Sequence, residues 1–202
     1  MGLRLVVYDA TGHGRSWFQP LLTASWRVGS GLYRHYPHDT RVDAIYGATS
    51  WTDAVAWLAS VEPTQAVSEI QYWGHGLPGR VFIAGEAVTS SSFTQGPLAE
   101  DWRAVAARLT RTSLVWFRTC GAFGGPAGHE FATTTARFFD CRVAGHTFVI
   151  GPVQSGLHSL GAGATPGWSV DEGQGTAGEL LGSLPWSPHT ISFLNGAIPA
   201  GW

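Results

Sequence analysis

The 202-residue sequence contains no lysine; its twelve basic residues are all arginines, and they are scattered singly. A glycine-rich phosphate loop closed by a lysine is therefore excluded. With a net charge of -2 and a pI near 6.4, the chain has no basic field for nucleic acid or an anionic membrane. Charge of either sign is sparse at 13%, against 44% hydrophobic residues with 10 Trp and 10 Phe. That balance describes a compact globular protein and excludes a disordered one. No apolar run approaches the roughly 18 residues that a membrane-spanning helix needs. The two cysteines, Cys120 and Cys141, make no disulfide framework, so a reducing, cytoplasmic setting is expected. Gly-x-Ser-x-Gly, the nucleophile elbow of lipase-like hydrolases, is absent. The opening segment Met1 to Asp9 carries a short apolar run, too brief for a signal sequence and better suited to a buried first strand.

What the chain does contain is an alternation of strand and helix patterns. Strands are predicted at Leu3 to Tyr8, Arg41 to Gly47, Val67 to Trp73, Ser113 to Thr119 and Cys141 to Ile150. Between them, helices are predicted near Gln19 (apolar stripe Trp17, Leu21, Leu22, Trp26), from a capping box at Ser50 to Asp53, from Pro97, and from Pro126. The inner face of the last would carry Ala127, Phe131, Ala132, Thr135, Phe138 and Phe139. Arg80 to Val88 has two apolar arms around Ala-Gly-Glu, the pattern of a β-hairpin at the sheet's edge.

This order predicts a single α/β domain over residues 1–202, with a mostly parallel, doubly wound sheet in the order 2-1-3-4-5. Its core covers about 3–160. From Gly151 onward Gly, Ser and Pro dominate, and the tail over 161–202 is read as long loops packed on the same domain, ending in an edge strand at His189 to Leu194.

Two predicted strands end in reactive side chains. Val67 to Trp73 runs into Gly74-His75-Gly76, and Ser113 to Thr119 runs into Cys120-Gly121. Parallel strands joined by a helical crossover emerge on one edge of the sheet, where such folds build their sites. A histidine within hydrogen-bond reach turns a neutral thiol into a nucleophile. The flanking glycines let a substrate backbone approach, and the amides of Gly76 and Cys120 are natural donors to a developing oxyanion.

These residues carry a resemblance. The strand ending in Tyr72-Trp73-Gly74-His75-Gly76, the strand ending in Phe117-Arg118-Thr119-Cys120-Gly121, and the hairpin and helix between them are similar to the caspase-like cysteine peptidases, the group of caspases, metacaspases, gingipains and toxin self-cleaving domains. Gly128-His129-Glu130-Phe131-Ala132 leading to Cys141-Arg142-Val143-Ala144-Gly145 resembles bacterial members. Residues 3 to 160 fall within the likeness. Gly-Ala-Phe follows Cys120, where caspases carry Arg-Gly, and no acidic residue precedes it as in metacaspases. The resemblance implies a caspase-like three-layer sandwich and peptide-bond hydrolysis without a cofactor, with Cys120 as nucleophile, His75 as general base and acid, and Gly76 N–H and Cys120 N–H as the oxyanion hole. It also implies a peptide or protein substrate, and it is compatible with activation by a protein partner or by self-cleavage.

Loops at the same edge would form the substrate pocket: Asp9, His13 and Arg15 after the first strand, and Gln154, Ser155 and His158 after the fifth. An exposed Asp9 would favour Arg or Lys before the cleaved bond, whereas an exposed Arg15 would favour Asp or Glu. Two rival readings stand beside the peptidase. One is a catalytically silent scaffold or binding module of the same fold. The other is a metal-dependent hydrolase using His13, His75, Cys120 and His158, although no pair of them shows the close spacing of zinc motifs.

Overall fold

The computed structural model describes residues 2–12, 19–37, 40–176 and 178–202. Its strands are β1 (Leu3–Asp9), β2 (Ala44–Ala48), β3 (Val67–Trp73), β4 (His75–Leu77), β5 (Arg80–Ile83), β6 (Glu86–Thr89), β7 (Leu114–Arg118), β8 (Arg142–His146), β9 (Val153–Gln154), β10 (Leu157–Leu160) and β11 (Ile191–Ser192). The helices are α1 (Gln19–Leu32), α2 (Trp51–Ser60), α3 (Ala99–Ala106) and α4 (Gly125–Phe139). None of these is long and apolar enough to cross a membrane.

Six strands form the central sheet in the order β2-β1-β3-β7-β8-β10. The first five are parallel and follow the predicted order. β10 is antiparallel to β8, which makes it the edge strand. The alternation of side chains then decides which layer covers which face. Leu5, Val7, Ile70, Tyr72, Val115, Phe117 and Val143 point to one face, where Trp51, Val55 and Leu58 of α2, Trp102 and Val105 of α3, and Phe131, Ala132 and Phe139 of α4 bury them. On the other face Val6 and Trp73 pack with Tyr33 and Trp26 of the α1 region, while Leu114, Trp116 and Ala144 pack with Ile191, Ile198 and Trp202 of the tail. Gly29 permits this second layer, because a Cβ there would stand 3.0 Å from the Trp73 ring.

Local chemistry explains the element ends. The Ser50 hydroxyl accepts the amide of Asp53 at 3.1 Å and starts α2. The reciprocal half of the expected capping box does not form, since the Asp53 carboxylate instead accepts the amide and hydroxyl of Thr49 and the Tyr46 hydroxyl. The hairpin is larger than predicted. It begins at His75 itself, so that β4, β5 and β6 form a separate three-stranded sheet, with Ala84 (φ 53°) and Gly85 (φ 82°) turning β5 into β6.

Three expectations need correction. The fifth strand stops at His146 rather than Ile150, because Val149 leaves the sheet to exchange backbone hydrogen bonds with Leu181 and Ser183 of the tail. The sheet's edge is β10, and β11 pairs instead with β9 in a two-stranded ribbon. Two glycine-flanked leucines, Leu157 and Leu160, give β10 too short an apolar pattern to stand out. Finally, Leu21 and Ala127, expected on inner helix faces, are exposed. Trp17, expected on the stripe of the first helix, lies outside the described residues.

Candidate active site

Adjacent strands deliver the two reactive side chains. Trp73 of β3 and Arg118 of β7 are register partners, so His75 and Cys120 each follow a paired residue by two. The backbones stay together past the strand ends. A Cβ on Gly76 would lie 2.5 Å from Thr119 Oγ1 and 2.6 Å from the Cys120 carbonyl oxygen, so only glycine lets this loop lie against the cysteine's own peptide.

His75 and Cys120 line one cavity of about 230 Å³. Its walls are largely apolar: Leu22 and Trp26 of α1, Trp73 of β3, Ile150 and Pro152 of the loop after β8, and Phe193 beyond β11. Trp26 meets the His75 ring edge to face, with centroids 5.1 Å apart at 77°. The loop around Gly121 (φ 57°) is closed by the tail, for a Cβ there would collide with Leu180.

Burial sets the charge state. It raises the Cys120 thiol above its ordinary pKa, with a partial offset from the backbone at Ile150 and Cys120; the neutral thiol donates to the Ile150 carbonyl at 3.8 Å. It lowers the His75 imidazole, and the Asp9 carboxylate works against that shift. At neutral pH the resting pair is thus a thiol and a neutral imidazole, and an ion pair would form only as the sulfur attacks.

Of the described residues expected to bind substrate, only Gln154 lines the cavity, beside Gly151. Asp9 is buried within electrostatic reach of His75 but off the cavity wall. Its carboxylate accepts the amide and hydroxyl of Thr11 and the Ala84 amide, bracing the hairpin turn. Ser155 is covered by the tail through Ser183, Leu184 and Thr190. His158 stands on β10 with Nε2 2.6 Å from Glu172 and its ring stacked on Trp168. Those three carboxylate, hydroxyl and imidazole groups hold the fold together and leave the cavity wall to others. His13 and Arg15 lie outside the described residues. Of the set expected for zinc, His75 and Cys120 share the cavity while His158 is held by Glu172, and among the described residues no group of three or more His, Cys, Asp or Glu is placed to hold a metal.

One polar wall residue escaped the sequence reading. Arg118 is buried beneath the cavity, and all five of its N–H donors are used: Nε and Nη2 donate to Gln154 Oε1, Nη2 also to the Phe193 carbonyl, and Nη1 to the Tyr33 hydroxyl and the Asn195 carbonyl. Its guanidinium lies 4.7 Å from the Trp73 ring centroid and 4.4 Å from that of Trp116. The available signal was its position two residues before Cys120, since strand alternation directs i and i+2 to one side. Trp26, Ile150 and Phe193 had no such signal, because tertiary packing brings them to the cavity. No family model and no curated protein matches the chain.

Proposed function

We propose that the protein is a caspase-like cysteine endopeptidase in which Cys120 and His75 form the catalytic dyad. The observation that carries this reading is the shared cavity: a thiol and an imidazole from adjacent strand ends line it, with Gly76 pressed against Cys120. In the first half-reaction Cys120 Sγ gives its proton to His75 as it attacks the peptide carbonyl carbon. The Gly76 and Cys120 amides receive the oxyanion. Collapse breaks the C–N bond, the leaving amine takes the proton from His75, and a thioester remains. Water then attacks that carbon, with His75 accepting its proton and returning one to the departing thiolate, which frees a carboxylic acid. The split of layers, with α2, α3 and α4 on one face of the sheet and α1 and the tail on the other, agrees with a three-layer sandwich of this family.

The test is covalent labelling with a peptidyl acyloxymethyl ketone. Wild type and Cys141→Ala should be labelled at one site, and Cys120→Ala at none. Equal labelling of the two cysteine variants would overturn the assignment. A silent binding module is the second reading, favoured by one observation: the Cys120 thiol is directed to the Ile150 carbonyl. Absence of labelling with Cys120 still open to iodoacetamide would decide for it.

A further inference from the structure

We infer that the cavity beside Cys120 selects a bulky apolar side chain, leucine- to phenylalanine-sized, on the residue whose carbonyl carbon is attacked. This rests on the peptidase reading. That residue's Cα is bonded directly to the attacked carbon, one bond closer than the Cα on the leaving side, so its side chain is the nearest to whatever space adjoins the sulfur. The space is about 230 Å³, and apolar cavities of roughly 150 Å³ already admit benzene. Leu22, Trp26, Trp73, Ile150, Pro152 and Phe193 line it.

Charge selection has no support in that wall. No aspartate or glutamate is among the described residues lining it, so an arginine or lysine side chain would meet the Arg118 cation without a counter-charge. An acidic side chain would find the Arg118 cation but none of its N–H groups free, because all five are already bound to Gln154, Phe193, Asn195 and Tyr33. Freeing them would strip the buried Gln154 Oε1 of its two donors. An apolar side chain displaces water without breaking any of these bonds.

The experiment measures second-order labelling rates of Cys120 by peptidyl acyloxymethyl ketones that differ only in the terminal residue: Phe, Leu, Ala, Asp or Arg. Phe and Leu probes should react about 10- to 100-fold faster than the Ala, Asp and Arg probes. A fastest rate with Asp or Arg, or equal rates throughout, overturns the inference while leaving the peptidase reading intact. No reaction with any probe overturns both. Ser25, an exposed α1 residue at the cavity's rim, supplies the second variant. Ser25→Phe fills the space, and the Phe-over-Ala preference should collapse. An unchanged preference would place the selecting surface elsewhere.

Discussion

Trp73 and Arg118 are register partners on adjacent parallel strands, and the guanidinium of Arg118 lies 4.7 Å from the Trp73 ring centroid. This pair closes the cavity floor and ties it to the tail, because Arg118 also donates to the Phe193 and Asn195 carbonyls. A lysine would keep the charge but lose the planar fork of five donors. Arg118→Lys is expected to lower stability by at least about 2 kcal/mol in urea denaturation, since it leaves buried acceptors unpaired. Proteolytic cleavage should also begin within residues 190–202, and an unchanged cleavage pattern would show that the tail does not depend on this arginine.

Gly76 gives a second prediction. Its missing Cβ would sit 2.6 Å from the Cys120 carbonyl, so Gly76→Ala must push β4 away from the cysteine. Overpacking of this kind costs about 1–3 kcal/mol, and the probe-labelling rate of Cys120 should fall at least tenfold as the dyad separates. Gly161→Ala is the control, because nothing surrounds its Cβ position within 4 Å. Similar labelling by the two variants would contradict the close backbone approach.

The sheet was legible because each of its parallel strands carries a clear apolar pattern bounded by glycine or polar residues, and because His75 and Cys120 sit directly past two of them. The order followed from the alternation of strand and helix, which is the pattern of a doubly wound sheet. The pocket was not legible. Asp9 looked like a loop residue free to meet substrate, yet the hairpin folds over it and uses its carboxylate for the Ala84 amide. Ser155 and His158 were likewise claimed by a tail whose Gly, Ser and Pro content shows no periodicity, but whose Leu184, Thr190 and Glu172 reach back to them. Sequence patterns report local period; they are silent on which distant segment will cover a loop.

Thiol reactivity provides a third prediction. Burial raises the Cys120 pKa above its ordinary 9.0, and thiolate alone reacts with iodoacetamide. In a Cys141→Ser background, the alkylation rate should rise about tenfold per pH unit from pH 7 and continue rising past pH 9. A plateau below pH 8 would mean a resting thiolate stabilised by protonated His75, contrary to the lowered pKa of that imidazole.

His146 links stability to acid. Its ring is fully buried, with Nδ1 donating to the Ser155 carbonyl at 3.0 Å and Nε2 without a hydrogen-bond partner among the described residues. Burial first, and then the charges of Arg118 and His158, hold its pKa down to about 3 against an ordinary 6.5. The folded state therefore excludes a proton that the unfolded chain accepts below pH 6.5. The contribution is fully present above that pH and is lost as pH falls toward about 3, at about 1.4 kcal/mol per pH unit. Lowered pKa values at His75, His129 and His189 act in the same direction. Asparagine can offer a donor where Nδ1 stands and does not titrate, so His146→Asn should remove one proton's worth of that slope. Urea unfolding of both proteins at pH 7 and pH 5 measures it: the wild type should lose about 2 kcal/mol more than the variant across that range, most of it below pH 6.5, and equal losses would mean that His146 is not the group that excludes the proton.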